Sequence, residues 1–130
     1  MTAFVDTSAI YALLDRADDG HARAVRGQQA VLGEELVTHA YVVVETISIV
    51  RRRLGAEATA RLIDEFLPAL RIVDIDAELR ARAMAGFRAA VGSDISLVDR
   101  TSFELMARLN IRRAFALDTG FESAGFVLVS

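Results

Sequence analysis

The chain of 130 residues has no cysteine, no tryptophan and no lysine, and a single proline, Pro68. The missing cysteine excludes disulfides, thiolate-bound zinc and a cysteine nucleophile together, and it fits a reducing cytoplasm. No apolar run approaches the length of a membrane span. The first residues lack a basic stretch followed by a long apolar core, so a soluble protein without a signal peptide is expected. No glycine-rich nucleotide loop of either common kind is present. Neither sign of charge dominates: the net charge is −3 and the pI about 5.3, which argues against a chain held to nucleic acid by bulk positive charge. All 15 basic residues are arginine, a residue that grips phosphate in a bidentate way, although codon bias accounts for the total as simply. Their placement says more than their number. Arg51, Arg52 and Arg53 form a basic cluster, and Asp15, Asp18 and Asp19 an acidic one.

What is present is an ordinary globular balance, 53% hydrophobic and 25% charged. A chain this long buries about two thirds of its unfolded surface and needs no staple. No linker or repeat divides it, so one domain over residues 1–130 is expected. Short apolar strands alternate with helical patterns. Ala3-Phe4-Val5 predicts a strand, and Ser8 a cap for a helix over about 9–16. Asp18-Asp19-Gly20 marks a turn, followed by a helix over about 21–31 that ends near Gly33. Leu36 to Thr38 reads as a strand. In YVVVETISIVRRRLG the β-branched residues favour strand, but Val43, Val44, Ile47, Val50 and Leu54 recur at helical spacing. The arginines suit a helix C-terminus and Gly55 its stop, so a helix is predicted. A helix over 56–66 should break at Pro68. A strand at 71–73, a helix from Asp76 to about Val91, and a helix opened by Ser96 follow. Ala114 to Leu117 predicts a strand ending at Asp118, then a turn at Thr119-Gly120 and a last strand over 126–129. The alternation predicts a single-domain α/β/α sandwich with a short parallel sheet.

In such a sheet ligands bind beyond the carboxyl ends of the strands. Asp6 and Asp118 both follow a few apolar residues at a predicted strand end. If the two strands are neighbours, both carboxylates face one cleft. Glu45, within an otherwise apolar run, and Asp99, in a helix first turn, are the other candidates. Like charges 4 Å apart repel by about 4 kcal/mol at an effective dielectric of 20. A shared cation or an extra proton relieves that, and hard oxygen ligands favour magnesium or manganese. Each acid also has a plain structural role open to it. Asp6 could cap a helix, Asp99 could complete a reciprocal box with Ser96, Asp118 could sit in a turn, and Glu45 could face solvent. Asp94 ranks as an auxiliary ligand at most. His21 and His39 lie in no ligand spacing and are expected to pack or face solvent. Ser8 has no base near it in sequence.

FVDTSAIYALL, VETISIVRRRLG, SLVDRTSFELM and AFALDTGFESAGF together resemble, in order and over nearly the whole chain, the motifs of PIN-domain proteins, particularly the VapC-type toxins of bacterial toxin–antitoxin pairs. The resemblance implies a parallel sheet flanked by helices and a magnesium- or manganese-dependent endoribonuclease. By motif position it implies an acidic quartet of Asp6, Glu45, Asp99 and Asp118. Asp6 and Asp99 would bind metal directly, and Glu45 and Asp118 through water or by orienting the attacking water. Ser8 and Thr7 match the hydroxyl position after the first acid. Thr119-Gly120 departs from the larger polar residues often found there, a difference that bears on substrate contacts near Asp118. Arg51, Arg52, Arg53 and Arg100 would hold RNA. A cognate antitoxin and a homodimer are also implied; the first two helices, including Ile10, Tyr11 and Leu14, are expected to form part of the antitoxin groove.

Two other readings compete. A degenerate PIN-like module would keep the fold and bind protein or RNA without cleaving, but it would not need all four acids. A phosphohydrolase of the haloacid-dehalogenase kind wants a second aspartate where Ser8 stands, and a phospho-receiver domain wants a lysine that this chain lacks.

Overall fold

The computed structural model describes residues 1–129; Ser130, the last residue of the expected 1–130 unit, lies outside the described residues. Five parallel strands form one sheet in the order β3-β2-β1-β4-β5. They are β1 (Thr2–Val5), β2 (Glu35–His39), β3 (Arg71–Val73), β4 (Arg113–Phe115) and β5 (Val127–Leu128). Helices α1 (Thr7–Leu14), α2 (His21–Ala30), α3 (Ala40–Leu54), α4 (Ala56–Arg61), α5 (Ala77–Ala89), α6 (Leu97–Leu109) and α7 (Gly120–Ser123) cover both faces. The predicted α/β/α sandwich is the observed one.

Strand β1 shows why the sheet must be covered twice. Successive side chains point to opposite faces. Ala3 and Val5 join one core with Ala9, Ile10, Ala24, Val50 and Leu62. Phe4 joins the other with Leu79, Leu105, Met106 and Phe121. All three β1 residues are buried, as a central parallel strand requires. β1 pairs with β2 on one side and β4 on the other, so the strand order reverses between β1 and β4. That reversal is where an open parallel sheet leaves a crevice.

Several local expectations change. Asp6, not Ser8, is the N-cap of α1, and the helix begins at Thr7. The Asp6 amide donates to Phe115 O at 3.0 Å, which keeps Asp6 on the strand, while its carboxylate turns to the helix. The helical stretch over 56–66 ends before Pro68, as expected, but it is not one regular α-helix. The chain leaves α4 through a π turn at Leu62–Phe66 and enters a 3₁₀ turn at Leu67–Ala69 with Pro68 in its first positions. There a proline needs no amide hydrogen. β4 stops at Phe115, so Asp118 stands three residues beyond the strand, and the expected turn at Thr119-Gly120 leads into α7. The Asp76 and Ser96 caps form as expected. No helix among the described residues is long and apolar enough to cross a membrane.

Candidate active site

An open cleft of about 590 Å³ lies at the carboxyl end of the sheet, beside the reversal. Asp6, Glu45, Asp99 and Asp118 all line it, with Thr7, Ser8, Tyr11, Asp18, Ser48, Arg52 and Arg53 among the others. Each acid comes from a different element. Asp6 stands at the β1–α1 junction, Glu45 in the second turn of α3, Asp99 in the first turn of α6, and Asp118 in the loop after β4.

Asp6 has two tasks. Its Oδ2 accepts from the Ser8 amide at 3.1 Å and from Ser8 Oγ at 2.7 Å. Those bonds cap α1 with one carboxylate oxygen. Ser8 Oγ in turn accepts from the Leu117 amide at 2.9 Å, tying the α1 start to the loop that carries Asp118. Thr7 lines the cleft, but its Oγ1 accepts from the buried Thr46 Oγ1 at 3.0 Å, which joins α1 to α3. Asp118 Oδ1 accepts from the Gly120 amide at 2.9 Å, so the turn role and the cleft position coexist. Asp99 gives its amide to Ser96 Oγ at 3.0 Å; this half of the expected box is present.

The electrostatics follow from this crowding. Burial pushes the Asp6 carboxyl above its ordinary range. The two Ser8 bonds pull it back, and Glu45 and Asp118 push it further up. Burial also raises Asp99, and the charges of Asp6, Asp118 and Glu45 add to that, taking it to about 6. Three acids thus act on the fourth, the signature of like charges gathered in one crevice. No three His, Cys, Asp or Glu side chains among the described residues converge as a ready-made metal cage. Hard oxygen donors in excess negative charge, not drawn together into a cage, suit a cation that keeps most of its own water, as magnesium does.

The other expected residues divide. Arg52 and Arg53 line the cleft. The Arg53 guanidinium lies 5.5 Å over the Tyr11 ring, and Tyr11 OH donates to Asp15 Oδ2 at 2.7 Å. Arg51 is exposed at the end of the same helix and does not line the cleft. Arg100 does not line it either: its Cδ lies 3.7 Å from where a Cβ on Gly86 of α5 would stand. Asp94 is exposed and also outside the cleft. His21 Nδ1 bonds Ala12 O at 2.7 Å, pinning α2 to α1.

Sequence reasoning missed Asp18, Ser48 and Tyr11 as cleft residues, and missed Thr46. An i, i+4 spacing from Tyr11 to Asp15 was the one signal available for that pair. Nothing local in the sequence marks Thr46, whose partner is 39 residues away.

Residues 3–127 match the PIN domain family. The 23S rRNA-specific endonuclease VapC20 of Mycobacterium tuberculosis is 33% identical over 127 residues, which is 97% of this chain and 96% of that protein. The crystal structure of Mycobacterium tuberculosis VapC20, described as a sarcin-ricin loop cleaving toxin, superposes with a TM-score of 0.84 at 32% identity, covering 98% of this chain and 97% of that one. FitAcB from Neisseria gonorrhoeae shares the fold, with a TM-score of 0.72 at 21% identity over 100% of this chain and 97% of that one. The chain belongs to the PIN-domain family, among its VapC-type members.

Proposed function

We propose that this chain is the toxin of a type II toxin–antitoxin pair, a magnesium- or manganese-dependent endoribonuclease of the cytoplasm. The observation that carries the reading is that four carboxylates from four elements line one crevice at the sheet reversal. Asp6 and Asp99, both raised by burial, would hold the ion directly. Asp6 has Oδ1 free for this because Ser8 occupies Oδ2. Glu45 and Asp118 would hold it through water or orient the attacking water. A divalent ion in such a site neutralises phosphate charge and lowers the pKa of a bound water. Ser8 positions Asp6 and the Asp118 loop together. In-line attack by water, without the ribose 2′-hydroxyl, leaves 5′-phosphate and 3′-hydroxyl ends.

Arg52 and Arg53 stand on the rim of the acidic cleft, with the exposed Arg51 beside them, and would take the RNA backbone. Arg100 would have to leave its place against α5 to join them. An acidic chain thus binds RNA through a local basic rim. The likeness to a 23S rRNA-specific endonuclease makes ribosomal RNA the first substrate to test, ahead of transfer and messenger RNA. A VapB-type antitoxin and a homodimer complete the proposal. An apolar groove of about 490 Å³, lined by Ile10, Leu13, Val31, Leu36, Phe66 and Leu70 among others, suits the antitoxin; it takes in Ile10 and other residues of the expected first two helices, but not Tyr11 or Leu14. Tyr11 opens on the acidic cleft instead, and Leu14 lines neither. Antitoxin binding that survives Leu13→Glu ends this placement.

The decisive experiment sequences the ends of RNA cut by the wild type with magnesium or manganese, with Asp6→Asn as control. Metal-dependent cleavage with 5′-phosphate ends, absent in the variant, supports the reading. Cleavage that persists in chelator or in Asp6→Asn overturns it.

A further inference from the structure

His39 is fully buried, and the cleavage chemistry does not use it. It ends β2 and is the N-cap of α3, where Nδ1 accepts from the Tyr41 amide at 3.2 Å and the Val42 amide at 3.3 Å. With Nδ1 an acceptor, Nε2 carries the proton. Nε2 lies 2.9 Å from Ser102 Oγ in α6, and Ser102 Oγ donates onward to Val98 O at 3.0 Å. The ring is held between Phe4, centroids 5.7 Å apart, and the Tyr41 edge at 5.9 Å. Burial keeps the imidazole neutral, with its pKa lowered to about 4. The preceding residue ties a third element: Thr38 Oγ1 donates to Val5 O at 2.8 Å, the carbonyl just before Asp6.

A helix cap alone does not call for histidine. Serine or asparagine caps better by general preference. What imidazole adds is a second polar atom on the far side of the ring. One side chain can then cap α3 and reach α6, where Ser102 sits one turn from Asp99 on the same helix face.

The geometry points to His39 as a positioning residue: with Thr38 it locks the β1 end, α3 and α6 into one body, and so sets Asp6, Glu45 and Asp99 relative to one another. This rests on the nuclease reading of the site. Groups that orient metal ligands from behind typically matter by roughly 10- to 100-fold in affinity or activity.

The test uses His39→Asn, which keeps a capping oxygen but cannot span to Ser102, together with Ser102→Ala and the double variant. RNA cleavage is measured with folding matched by circular dichroism. His39→Asn is expected to lower kcat by roughly 10- to 100-fold with KM unchanged. Ser102→Ala moves kcat in the same direction, and the double variant falls no further than His39→Asn, because both remove one link. Nitrogen-15 NMR of the wild type should show the Nε2–H tautomer with a protected ring proton, and Ser102→Ala should shift that resonance. A kcat unchanged in both single variants, additive losses in the double, or an Nδ1–H tautomer overturns the assignment. If His39→Asn does not fold, Ser102→Ala and the tautomer decide alone. A wild type that cuts no RNA fails the nuclease reading instead; the NMR readout then still reports whether the His39–Ser102 link exists.

Discussion

Removing the charge of Asp99 should make the protein more stable. Burial, and then the charges of Asp6, Asp118 and Glu45, raise this carboxyl from 3.8 to about 6 in the fold. At about 1.4 kcal/mol for each tenfold change in proton affinity, the charged form is held at a disadvantage of about 3 kcal/mol. The residue is only partly buried, and solvent screening cuts such a figure to about half, near 1.5 kcal/mol. A carboxylate in a helix first turn recovers about 0.3–1 kcal/mol. The Ser96 cap is indifferent to the change, because it uses the Asp99 backbone amide. Asp99→Asn should therefore gain about 1 kcal/mol near pH 7.5 in chelator, a rise of about 3–5 °C in Tm for a chain of this size. The folded pKa lies above the unfolded one, so the wild type regains its deficit as pH falls through about 6 and has recovered it fully below 3.8. The two melting curves should converge near pH 4. Thermal melts followed by circular dichroism at a series of pH values provide the assay, and magnesium should raise only the wild-type curve. A variant that melts at or below the wild type near pH 7.5, or a gap undiminished near pH 4, refutes the reasoning.

Asp6→Asn should abolish RNA cleavage with the fold intact, because asparagine caps a helix as well as aspartate does; a loss of helical signal would show that the carboxylate is needed for folding. Glu45→Gln should raise the manganese concentration for half-maximal cleavage, and an unchanged titration would mark Glu45 as a surface residue. Ser8→Ala leaves the Leu117 amide without its acceptor and should cost about 1–3 kcal/mol in denaturant melts; a midpoint equal to the wild type's would show that the bridge is dispensable. Arg52→Ala and Arg53→Ala should each reduce the slope of log affinity against log salt by about 1 in RNA binding, whereas an unaltered slope would place the RNA elsewhere.

The order of strands and helices was legible because short apolar segments alternate with capped, periodic ones. Asp76 and Ser96 each stand between apolar neighbours at the start of a helical pattern, and both cap as expected. At Asp6-Thr7-Ser8 three good capping residues follow one another, and residue type alone does not choose among them. The choice is made by the Phe115 carbonyl, more than 100 residues away. Ala114 to Leu117 is apolar throughout, and an apolar run reads the same in a strand as in a buried loop. The strand therefore looked longer than it is. Asp6, Asp99 and Asp118 were readable because each sits at or just beyond an element end, where topology gathers residues, and Glu45, inside α3, because a carboxylate in an apolar run calls for a partner. His39 was not, since a single histidine outside any spacing gives no sign that both its ring nitrogens are engaged.

The bond from the Leu117 amide to Ser8 Oγ joins residues 109 positions apart. Chain synthesis makes Asp6 early and Asp118 late, and β1 meets β4 only after nearly all the intervening sequence exists. A growing polypeptide therefore carries an unfinished cleft until the segment from Phe115 to Asp118 has been made and has docked against Asp6 and Ser8.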